Sequence, residues 1–339
     1  MVLRIGFVFL GLGLLFACGN KNGKGRFIAD TDTAFNQDIR DASKKINADP
    51  KNANLYYLRG NAFYFQDKYK DAVLDFQTAV DLDSMSAMYH YRLGETQLKL
   101  DTVDSKKARM HLLKAVQIEP KLTDAKLALA KLMLARQEYA SAETLLKTMT
   151  DQQDFADKAF LYLGISKREQ KDTQTALVYF DKSLQLNPKN YDAAMQIALI
   201  KSAENDPKAK DYFDRVLAIN EYSDEAWYAM GLYFQQKEKY KDALACYDKA
   251  STINGGHRLS RYNSAVIYSI FEEWERAEEW CNKTLDVDPE NANALALRGF
   301  TFENRNNKKA AIADYKAALK KDPKNAPALK GLNALGVKP

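Results

Sequence analysis

Histidine and cysteine are scarce in this chain, three of each among 339 residues, and proline and glycine are sparse at 8 and 15. The three histidines, His90, His111 and His257, are scattered, and no HExxH or other metal-ligand spacing accompanies them. His90 and His111 fall in one repeat and could approach each other, one as a packed histidine and the other as a surface one. No glycine-rich loop is placed to cradle a phosphate, and Asn254-Gly255-Gly256 reads as a helix stop. We therefore expect no catalytic residues, no metal site and no cofactor. Net charge is also small, +5 from 50 basic and 45 acidic residues. Both signs are spread along the chain, which marks solvated faces and not the basic stripe that a nucleic acid requires. The one long apolar run, residues 1–17, is too short for the roughly 20 residues of a membrane-spanning helix.

The composition instead suits a helical array, and a fixed period confirms its plan. Alanine recurs at 72, 108, 142, 176, 209, 243, 277 and 311, at intervals of 33 to 36 residues. Twelve residues before these alanines, or fourteen or eleven where the turn length differs, stand Gly60, Gly94, Ala130, Gly164, Ala198, Gly231, Ala265 and Gly299. Only the two smallest residues occur there. Four residues after each alanine comes a larger filler, such as Phe76, Phe180, Phe213, Tyr247 or Tyr315. Two helices crossing closely would demand this pattern, because overpacking such a contact costs about 1–3 kcal/mol.

In residues 224–257, Trp227, Gly231, Tyr240, Ala243, Tyr247 and Ala250 stand at positions 4, 8, 17, 20, 24 and 27 of one copy. That spacing resembles the tetratricopeptide repeat, a 34-residue helix-turn-helix unit. The resemblance implies an all-α, right-handed superhelical solenoid. Eight repeats are expected over 53–325, with an N-terminal capping helix over 33–52 and a C-terminal one over 326–339. In the first cap Phe35, Ile39, Ala42 and Ile46 share a face, Thr31 or Thr33 would cap it, and Asp49-Pro50 ends it. The turn at 100–105 carries two extra residues. Lys126, Ala194 and Arg261 at the large apolar position 4, with Lys167 and Lys201 at position 11, make the fourth and fifth repeats the weakest expected packers.

Residues 1–17, with Arg4 ahead of the apolar run, read as an export signal. Leu15-Phe16-Ala17-Cys18 resembles the bacterial lipobox, which implies cleavage before Cys18 and lipid on its thiol. The two or three acyl chains of such an anchor hold stably. Residues 18–32 then form a flexible tether reaching on the order of 20 Å. Gly19 is not the aspartate of the inner-membrane retention signal, so the expected address is the bacterial outer membrane, on the periplasmic face. Contact with the membrane is expected through this anchor alone. Cys246 and Cys281 read as two buried thiols, because successive second helices lie about 8–10 Å apart, beyond the span of a disulfide.

The resemblance also says where partners bind, since first helices line a groove through positions 2, 5, 9 and 12. Position 5 holds Tyr57, Tyr91, Leu127, Leu161, Met195, Tyr228, Tyr262 and Ala296, while position 9 adds Ile165, Leu199, Leu232, Val266 and Phe300. These side chains either pack between neighbouring first helices or form an apolar, tyrosine-rich groove for a protein segment. Of the basic clamp that holds chaperone tails in this family, only Asn61 and Arg92 match. The implied function is a noncatalytic scaffold that organises an envelope complex in secretion, outer-membrane assembly or peptidoglycan metabolism. The alternative is a periplasmic chaperone that binds unfolded or translocating clients in the groove. Proteins or peptides are the expected partners, and nothing in the sequence sets the oligomeric state.

Overall fold

The computed structural model describes residues 36–100 and 105–338. The signal segment, Cys18, the tether, Thr31, Thr33 and Phe35 lie outside the described residues, as do residues 101–104 of the extended turn. Every regular element described is an α-helix, and none is long and apolar enough to cross a membrane. The chain divides into two compact units at Met149/Thr150.

The first unit contains α1 (Gln37–Ala48), α2 (Ala53–Tyr64), α3 (Tyr69–Leu82), α4 (Ala87–Gln97), α5 (Ser105–Ile118), α6 (Thr123–Ala135) and α7 (Tyr139–Lys147). The second contains α8 (Ala156–Glu169), α9 (Thr173–Leu186), α10 (Tyr191–Ala203), α11 (Ala209–Ile219), α12 (Asp224–Gln236) and α13 (Tyr240–Ile253). It continues with α14 (Arg258–Ile270), α15 (Trp274–Val287), α16 (Ala292–Asn304), α17 (Lys308–Lys321) and α18 (Ala326–Ala334). Within each unit the helices pair as hairpins, and each second helix also packs on the first helix that follows it. The division follows α7, a second helix of nine residues where the others have 11–14.

Helix starts are written locally. The side chains of Asn36, Ser86, Asp172, Asn190, Ser223, His257, Asn291, Asn307 and Asn325 each accept a hydrogen bond from an amide three residues on. They satisfy donors that the first turn leaves open. For α1 the capping residue is Asn36, not either threonine. Hairpin turns use one left-handed residue at position 15: Asp67, Gln137, Lys171, Asn205, Glu238, Glu272 and Asn306, with φ between 56° and 64°. The Gly255-Gly256 turn needs no positive φ, so its glycines end α13 without a left-handed cap.

All eight position-20 alanines are fully buried. The small residue at position 8 has a specific cause, the filler at position 24. A Cβ added to Gly60, Gly164, Gly231 or Gly299 would lie 2.5–2.8 Å from the ring of Phe76, Phe180, Tyr247 or Tyr315. Fully burying such a ring contributes about 1.5–3 kcal/mol, and the missing methyl is what lets it lie flat against the first helix. The fourth and fifth repeats, expected to pack worst, supply much of a core that runs from Leu161 to Ile267 and includes Phe180 and Phe213. Lys126, at an apolar position of the third repeat, is buried along its stem and donates from Nζ to Thr148 Oγ1 at 3.1 Å. A lysine stem can fill an apolar site when its amine finds an acceptor.

Two ion pairs, one buried and one partly exposed, were not expected. Arg59 on α2 meets Asp75 on α3 through two hydrogen bonds of 2.7 Å and donates a third, of 3.1 Å, to Ser43 Oγ on α1. In the last repeat Arg298 meets Asp314 at 2.7 and 2.9 Å and donates to Asn282 on α15 at 2.8 Å. Both arginines occupy position 7 and both aspartates position 23, so the first and last repeats use the same clamp to hold the preceding helix.

Candidate protein-binding face

The position-5 side chains are more enclosed than a free groove requires. Leu127, Leu161, Met195 and Ala296 are buried, and the four tyrosines are half-buried. Tyr57 packs its ring on Phe76 and Tyr89, with centroids 6.0 and 5.1 Å away. Tyr91 donates to Glu95 Oε1 at 2.8 Å, and burial raises its pKa above the usual range. Among the described residues the rings that Tyr228 meets are Tyr247 and His257, at 5.8 and 4.9 Å. Tyr262 instead packs against the C-terminal core around Tyr315, so the two tyrosines do not form a ring pair. Burial raises the pKa of both phenols.

Solvent is reached one helical turn further on, at position 9. Leu199 on α10, Leu232 on α12 and Phe300 on α16 are 39%, 41% and 44% exposed, with Ile165 and Val266 half-buried in the same row. Phe300 is held edge-on by Trp274, with centroids 5.7 Å apart. Beside Phe300 opens a cavity of about 520 Å³ between α14, α16, α17 and α18, which Tyr262 and Tyr315 also line. Ala326, Gly331 and Ala334 on α18 also line it, and at Gly331 the Tyr315 ring takes the place of a side chain, lying 2.2 Å from where a Cβ would stand. The rim is polar: Tyr315 donates to Glu303 Oε2 at 2.7 Å, and Asn325 Nδ2 donates to Asn293 Oδ1 at 2.9 Å. Lys330 supplies a cation to the lining. An apolar space of this size with a few fixed polar groups can accept one large side chain of a partner. Sequence reasoning missed the contribution of α18, although its run of small residues was the available signal.

The remaining candidates are accounted for by packing. Asn61 and Arg92 hydrogen-bond to each other at 2.8 Å, and Arg92 lies over the Tyr64 ring at 4.1 Å. Cys246 and Cys281 are buried and unbridged, and burial pushes both thiols up to about 12. His111 is buried, not on the surface, because position 23 of the second helix points inward. Among the described residues no group of three or more His, Cys, Asp or Glu side chains is placed to hold a metal ion.

Models of the tetratricopeptide repeat match residues 103–161, 224–257 and 272–326, and a further TPR-repeat model matches 60–101. A TPR repeat-containing protein of Methanocaldococcus jannaschii is 24% identical over 314 residues, 86% of this chain and 54% of that protein. A BBSome complex member BBS4 homolog of Drosophila melanogaster is 24% identical over 277 residues, 77% of this chain and 56% of its own. The chain thus spans little more than half the length of these relatives. Among solved structures, yeast Tom70 is similar in fold at a TM-score of 0.54 and 14% identity, covering 93% of this chain and 67% of that one.

Proposed function

The chain belongs to the tetratricopeptide-repeat family, whose repeats serve as protein–protein interaction scaffolds, and we propose that it is a noncatalytic adaptor holding an apolar protein segment on the first-helix face of its second unit. The observation that carries this is the exposed row Leu199, Leu232 and Phe300, which ends at the cavity beside α18. Exposed apolar side chains in line across successive helices mark interaction sites, and an aromatic or branched side chain seated in the cavity would act as the anchor of the complex. Helices stacked in this way present extended binding surfaces. Balanced charge along the repeats favours a protein over a nucleic acid.

The proposal also includes the address. Lipid on Cys18 would hold the chain at the outer membrane of a bacterium, on the periplasmic side, with the repeats within a tether's length of the surface, as part of an envelope complex. The support is the Leu15-Phe16-Ala17-Cys18 sequence. Metabolic palmitate labelling tests the anchor, since the Cys18→Ser variant should carry no label, and persistent label on it would remove the proposal. Photo-crosslinking from position 232 in cells tests the role. A single stoichiometric partner is expected of an adaptor, and a broad set of unfolded clients would make the chain a chaperone instead.

A further inference from the structure

A second feature lies in the first unit, independent of that face. His90 on α4 and His111 on α5 are both buried, and their Nδ1 atoms are 3.0 Å apart. His90 Nε2 lies 3.2 Å from the Ser84 carbonyl. A carbonyl only accepts, so His90 carries its proton on Nε2 and presents a lone pair at Nδ1. His111 must then donate from Nδ1, which leaves its own Nε2 as a lone pair. Among the described residues that nitrogen has no partner, although His111 is only 7% exposed and lines a cavity of about 660 Å³.

The lining is mixed: on one face of α5 Met110 and Leu113 interleave at helical spacing with Lys106, Arg109 and Lys114, and Met85 and Arg136 are contributed from outside that helix. Arg109 and Arg136 each reach Glu138 at 2.9 Å, and among the described residues the buried Arg109 Nε has no acceptor. Asp81 near His111 and Asp83 near His90 offset part of this positive charge, and Lys114 adds to it at His90.

We propose that this cavity binds a small amphiphile with a carboxylate head and an apolar body, and that binding places a proton on His111 Nε2. A carboxylate has no donor, so it can engage that nitrogen only after the nitrogen is protonated; the proton comes from solvent, and the Nδ1 hydrogen bond to His90 is kept. Without ligand the pair stays neutral at pH 7, because burial lowers both histidines, His111 to about 4. A metal ion fits less well, with the two Nδ1 atoms already bonded to each other and four cations around the cavity. The volume is within the range that holds small ligands, roughly 300–1,000 Å³.

Isothermal titration of the full chain with sodium octanoate, at pH 6.5 and pH 8 and in two buffers of different ionisation enthalpy, tests the assignment. Expected are saturable binding, tighter at pH 6.5 by about fivefold or more as one-proton linkage requires, and proton uptake of up to about one per ligand. The exposed Lys114→Gln substitution should weaken binding about threefold to fivefold at both pH values, the size of one exposed charge contact, with unchanged circular dichroism. His111→Gln should remove the proton uptake. Absence of saturable octanoate binding, inorganic phosphate binding as tightly as octanoate, or octanoate binding without proton uptake would each overturn the proposal.

Discussion

Replacing Arg59 with leucine should be among the most destabilising single changes in the first unit, for a reason that the contacts make calculable. Arg59 and Asp75 are both 1% exposed, and the guanidinium satisfies both carboxylate oxygens at 2.7 Å. Removing the cation leaves Asp75 buried without a counter-charge, at a cost of about 3–5 kcal/mol. Replacing both partners with apolar residues removes the charge that needs solvating, so Arg59→Leu/Asp75→Leu should cost far less than the single change, about 1 kcal/mol or nothing. The pair Arg298–Asp314 is an internal control, because its side chains are 24% and 11% exposed. Water reaches it, and Arg298→Leu should cost less, about 1–2 kcal/mol. Repeat arrays need not unfold in one step, so the assay is amide hydrogen exchange of α2 and α3, with urea unfolding alongside. Equal protection in the Arg59→Leu single and double variants, or a loss below about 1 kcal/mol in the single, would refute the reasoning.

Other consequences follow from the packing and the titrating groups. Gly231→Ala should lower stability by about 1–3 kcal/mol, because its Cβ would meet the Tyr247 ring at 2.5 Å; urea unfolding should show that the same change costs much less in a Tyr247→Leu background. Glu238→Gly should raise stability by about 0.5 kcal/mol, since φ at Glu238 is 58° and left-handed backbone costs a residue with a Cβ about 1–2 kcal/mol, partly offset by glycine's entropy. His111 has a depressed pKa, so the unfolded chain binds more protons between about 6.5 and 4. Stability should be full above pH 6.5 and fall as pH drops toward 4, by about 2 kcal/mol once water in the adjoining cavity is allowed for. Unfolding midpoints of the parent and of His111→Gln across that range check the sign, and only the parent should lose the full amount.

The register of the repeats was legible because close helix crossing tolerates nothing larger than alanine at position 20, and that constraint recurs unchanged from Ala72 to Ala311. Exposure was not legible, because it depends on how far the neighbouring helix covers each side chain. Leu161 and Leu232 are both leucines of first helices, yet Leu161 is 4% exposed and Leu232 is 41%. The ion pairs lie 16 residues apart in sequence, a distance at which no helical periodicity links two side chains. Their signal was the recurrence itself, Arg and Asp at the same two positions of the first and last repeats. Apolar periodicity likewise marked Lys126 as an exception, and the polar atom that satisfies it, Thr148 Oγ1, lies at the end of α7.

The central claim is that the position-9 row and the cavity beside α18 hold the partner, and Leu232→Glu/Phe300→Glu tests it most directly. Both side chains are substantially exposed, so a charge there should leave the unfolding midpoint near that of the parent. The account predicts that the double variant loses the partner crosslinked from position 228 in the parent, while Lys249→Glu on the opposite helix of the same repeat keeps it. Retention of the partner by the double variant at parental stability would contradict it.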